Sequence, residues 1–63
     1  MKNTMHKLGN HLFFETEEEK ETVKRLLIEN RYGELILGET SVALRFINGY
    51  TTKLIEEILN GEL

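Results

Sequence analysis

The chain has 63 residues, with eight Lys and Arg against eleven acidic side chains, two histidines and no cysteine. At this length it makes one domain that buries only about 60% of the surface its unfolded chain exposes, and the lack of cysteine removes disulfides and thiolate metal sites from the staples that small folds rely on. A formal net charge of −3 argues against broad phosphate-backbone binding, which depends on clustered Lys and Arg.

Association with a second copy or another protein is the staple that remains. No apolar run approaches the roughly 18 residues that span a bilayer. Lys2 and Lys7 are not followed by an apolar stretch that could serve as a signal-peptide core, so the expectation is a cytoplasmic protein with no membrane contact. With 30% charged and 40% hydrophobic residues, the composition is that of a globular chain.

Residues 1–10 mix polar, basic and small side chains without period and read as a flexible or irregular lead. Residues 11–63 read as a single α+β domain. Leu12-Phe13-Phe14, with Gly9-Asn10 before it, predicts a strand over His11 to Glu15. Thr16 and Glu19 fit a capping box, and Glu17, Glu18 and Glu19 place negative charge at the positive end of a helix. Val23, Leu26, Leu27 and Asn30 then recur at helical spacing, predicting a helix from Glu17 to Asn30 that Gly33 stops. Glu21 and Arg25 stand at i, i+4 in the favourable order.

Glu34 to Gly38 and Ser41 to Ile47 predict two further strands joined at Gly38-Glu39-Thr40-Ser41. Pairing Leu37 with Val42 sets Leu35 opposite Leu44, Ile36 opposite Ala43 and Glu34 opposite Arg45. Asn48-Gly49 is a turn signal, and Thr51 or Thr52 can cap a last helix running to Leu59, with Asn60-Gly61 as its stop. The expected fold class is therefore α+β in the order β-α-β-β-α, a three-stranded sheet with two helices on one face. A right-handed crossover is expected if the first strand pairs in parallel with the next.

The hairpin carries the functional signal. Leu35, Leu37, Val42, Leu44 and Phe46 make one face, assigned to the core. A sheet face that meets water should be polar at alternate positions, yet the second face carries Ile36, Ala43, Arg45 and Ile47, with Phe13 or Phe14 added by the first strand. Ile28 also lies off the main apolar stripe of its helix. Phe13, Phe14, Ile28, Ile36, Ala43, Arg45 and Ile47 are accordingly the candidate interface. In the bland alternative, Met1, Met5 and Leu8 fold back over that face.

The acidic surface of Glu15, Glu17, Glu18, Glu19 and Glu21 can engage a basic partner, although helix capping explains most of it. Glu56 and Glu57 are neighbours on a helix and diverge by roughly 100°. No catalytic set is legible, and there is no Asp to build a calcium loop. His6 and His11 fall short of the three or four ligands zinc favours. Asn48-Gly49-Tyr50-Thr51-Thr52 opens a helix without the glycine spacing or lysine of a phosphate loop. No metal and no cofactor is expected.

These readings converge on a small non-enzymatic protein–protein interaction module. It is expected to be a homodimeric regulator or inhibitor, acting by surface occupation in the manner of phage anti-defence or other host-modulating proteins. The alternative is a small nucleic-acid-binding regulator. That reading requires Arg31, Arg45 and Lys53, with Tyr32 and Tyr50, to gather into one basic and aromatic patch.

Overall fold

In the computed structural model, which describes residues 5–62 apart from the Glu62 side chain, Thr16 stands in extended conformation and its hydroxyl accepts from the Glu19 backbone N–H at 3.1 Å. This bond satisfies one of the donors that a helix start leaves unpaired. Helix α1 follows over Glu17–Glu29. Its far end closes in a Schellman arrangement, the Arg31 N–H donating to the Ile28 carbonyl at 3.1 Å and the Tyr32 N–H to the Leu27 carbonyl at 2.7 Å.

The left-handed residue that this closure needs is Arg31, at φ 69°, and not the expected glycine. Gly33 serves another end. A Cβ at Gly33 would lie 2.9 Å from Ile28 Cγ1 and 3.3 Å from Ile28 Cα, so the missing side chain lets the backbone turn tightly under the helix end. A 3-10 turn over Gly33–Leu35 leads on to the sheet.

Among the described residues the sheet has four antiparallel strands, not three: β1 (His6–Leu8), β2 (His11–Phe13), β3 (Ile36–Glu39) and β4 (Ala43–Phe46), in the spatial order β1-β2-β4-β3. The extra strand comes from the segment expected to be an irregular lead. Gly9, at φ 62°, turns the chain with Asn10 so that Leu8 pairs with His11, Lys7 with Leu12 and His6 with Phe13. Strand β2 is antiparallel to β4, so no parallel crossover forms.

The β3–β4 register also departs from expectation. Gly38 pairs with Arg45, Glu39 with Leu44 and Ile36 with Phe46, with a bulge between Ile36 and Gly38. The turn sits nearer the C-terminus than expected, and the Thr40 N–H donates to the Ala43 carbonyl at 2.9 Å across its base. The physical reason is an ion cluster at the sheet edge. The buried Lys20 ammonium meets Glu39 at 2.6 Å and Glu21 at 2.9 Å and donates to the Thr40 carbonyl at 3.0 Å. Glu39 is thereby held in the strand on the helix side. The bulge then reverses the faces of β3, so Ile36 packs against the core and Leu37 stands 52% exposed.

Helix α2 spans Gly49–Glu57. Its cap is Asn48, whose side-chain oxygen accepts from the Thr51 N–H at 2.8 Å, and not Thr51 or Thr52. Thr52 is fully buried and satisfied by donating to the Asn48 carbonyl at 3.0 Å. The helix widens into a π turn over Ile58–Glu62, which delivers Leu59 to the core. Leu12, Leu44 and Phe46 from the sheet and Phe14 just beyond β2 join Val23 and Leu27 of α1 with Ile55 and Leu59 in one cluster. Helix α1 packs on β4, and α2 packs on β1, β2 and β4.

Candidate functional site

Residues paired across a ladder point to the same side of a sheet, so the registers sort the four strands into rows. Lys7, Leu12, Leu44 and Glu39 form a row facing the helices, its buried centre made by Leu12 and Leu44. The opposite side carries two rows. One is Leu8, His11, Arg45 and Gly38, crossing all four strands; the other is His6, Phe13 and Ala43.

This open face mixes apolar, aromatic and cationic groups. Leu8 is 63% exposed, His6 and Arg45 are exposed, and His11 and Phe13 are half-buried. The rings of His11 and Phe13 stack at 5.8 Å between centroids, 25° from parallel. Neither row contains a carboxylate. The Arg45 guanidinium lies over Gly38, where a Cβ would come within 3.4 Å of it. His11, Gly38, Glu39, Thr40, Ala43 and Arg45 line a recess of about 190 Å³ whose floor holds the two smallest residues of the rows.

Of the expected interface, the structure brings Phe13, Ala43 and Arg45 together on this face. Ile47 follows the end of β4 and is 52% exposed. Phe14 and Ile36 belong to the core side instead, because Phe14 follows Leu12 by two residues along extended chain and so shares its side, and the bulge turns Ile36 inward. Ile28 is exposed on α1, where it lines a separate shallow hollow with Arg31, Gly33 and Glu34. Sequence reasoning did not place Leu8, His6 and His11 on the face. The signal that finds them is Gly9-Asn10, a two-residue hairpin connection between short runs.

Of the residues expected to fold back in the bland alternative, Met5 packs against the core and Leu8 is exposed. Met1 lies outside the described residues. His6 faces Phe13 across the ladder and not His11, and no cluster of three or more potential metal-binding side chains occurs among the described residues. No helix among them is long and apolar enough to cross a membrane.

The basic and aromatic set does not assemble. Arg45 lies on the open face, Lys53 is exposed on α2 in the other layer, and Arg31 sits at the end of α1. In the acidic set Glu15, Glu17 and Glu18 are exposed. Glu21 turns away from Arg25 toward Lys20 and Lys24, the latter at 3.2 Å. Lys24 also reaches Glu39 at 3.0 Å. Bonds donated by Lys20 and then Lys24 hold the Glu39 and Glu21 carboxyls below the usual glutamate range. Acceptance by Glu39 and then Glu21 holds both ammonium groups above the usual lysine value.

Comparison with protein-family models, curated proteins and solved structures gave no match to this chain. The open face therefore stands on its own geometry.

Proposed function

We propose that the protein is a non-enzymatic interaction module, a regulator or inhibitor that works by covering a surface of another protein with the open face of its sheet. The observation that carries this reading is the composition of two adjacent rows. A side facing water should be polar, whereas these rows expose Leu8 and half-expose Phe13 beside His6, His11 and Arg45, with Ala43 buried beneath them. Aromatic and arginine side chains are what interface cores select.

Leu8→Glu with Arg45→Glu tests it, since both side chains are solvent-facing and the fold is expected to survive. The double variant should keep the wild-type melting temperature and lose the protein captured from cells that make it. Capture undiminished by the double variant would sink the reading.

A second copy is the other occupant, favoured by the exposed Leu8, Leu37 and Ile47. Two-fold packing of this face would bring both copies of Arg45 into one interface with no carboxylate from the rows to pair them, a costly arrangement on desolvation. Sedimentation of wild type and double variant decides between one chain and two.

A further inference from the structure

Resting on the reading of the open face as a binding surface, we propose that its partner is an acidic protein segment, with one carboxylate side chain seated in the recess between Arg45 and His11. Three features support the choice of occupant. The first is charge segregation. The chain has eleven acidic side chains, yet none falls in the two open rows, which carry Arg45 and both histidines. Glu39 at the edge of the recess is already engaged by Lys20 and Lys24, so it does not compete for Arg45.

The second is size. A recess of about 190 Å³ is smaller than the roughly 300–1,000 Å³ of small-ligand sites and suits a single side chain. Its floor of Gly38 and Ala43 leaves room beneath the flanking groups, and a guanidinium matches a carboxylate in a two-pronged geometry that strengthens the contact. The third is the apolar surround. Phe13 and Leu8 offer contact area to neighbouring side chains of an extended segment, whereas a nucleic acid needs several clustered strong cations and these rows supply one.

The test is selection from a random peptide display library on the immobilised full chain, followed by mapping of the enriched peptides through backbone amide shifts. The expected result is enrichment of Asp- and Glu-containing sequences that shift His11, Phe13, Ala43 and Arg45. Their affinity should fall about tenfold in Arg45→Gln, the loss of one charge-assisted bond, and should weaken as salt rises.

Neutral or basic peptides mapping to the same face would overturn the acidic partner and leave the open-face reading in place. Peptides mapping elsewhere, or no enrichment, would overturn both. Equal or tighter binding of a single-stranded oligothymidylate at these residues would reassign the face to nucleic acid. A dimer in which these amides are shielded would reassign it to a second copy.

Discussion

Lys20 on α1 and Glu39 on β3 meet at 2.6 Å, with the lysine side chain only 3% exposed. A buried ammonium is tolerated only when its donors are satisfied, and this one reaches Glu39, Glu21 and the Thr40 carbonyl. Glu39→Gln should lower the urea midpoint by leaving Lys20 poorly compensated. Lys20→Met with Glu39→Gln should recover part of that loss, because removing both partners of a buried pair is milder than removing one. A double variant no more stable than Glu39→Gln would show that the pair is not coupled.

The same cluster sets a pH window. Glu39 and Glu21 have depressed folded values, so the unfolded chain binds more protons in the acid range. Their contribution is present above the ordinary glutamate value of about 4.3 and is lost as pH falls through the lower folded values. The raised values of Lys20 and Lys24 contribute fully below about pH 10.4, and that contribution is lost as pH rises through them. Denaturation midpoints measured across pH should show a plateau between these limits. The Lys20→Met and Glu39→Gln double variant should fall less steeply on both sides.

Arg31 and Gly33 predict opposite signs for two small substitutions. Arg31→Gly relieves a left-handed residue and should stabilise by about 0.5–1 kcal/mol, after the added freedom of the unfolded chain is counted. Gly33→Ala forces a Cβ onto Ile28 and should destabilise by about 1–2 kcal/mol. Thermal unfolding of the two variants checks the pair. A stabilising Gly33→Ala would refute the close approach.

The bulge in β3 makes its own test. Ile36→Lys places a charge against the core and should cost about 2 kcal/mol, while Leu37→Lys on the exposed neighbour should change stability by less than about 0.5 kcal/mol. The unbulged register predicts the reverse order, so chemical denaturation of the two variants distinguishes them.

The parts of the fold legible in the sequence were those set by local chemistry. Thr16 and Glu19 bound α1 because a cap depends on residues three apart. Leu44 and Phe46 are legible as core because they flank Arg45 at alternate positions of β4, and both are buried. Asn48-Gly49 is a turn signal in sequence, but the Asn48 side chain can either close a turn or cap α2, and the helical segment downstream favours the cap. The β3 faces were not legible, since the register answers to Lys20, which lies 19 positions before Glu39 in the chain. The candidate site was legible in Phe13, Ala43 and Arg45 and missed in β1, where three residues without an apolar pattern become a strand only because Gly9-Asn10 turns them onto β2.

The strand order has a consequence for how binding and folding are linked. Leu8 and His11 belong to one hairpin and Gly38 and Arg45 to another, and within the sheet the β2–β4 pairing joins the two. The row that crosses all four strands therefore does not exist in either half alone. A ligand gripping both sides of this seam recognises the folded chain and not its pieces, so its free concentration should raise the unfolding midpoint of the whole domain by mass action. For a domain this small, occupation of the face and survival of the fold become a single equilibrium.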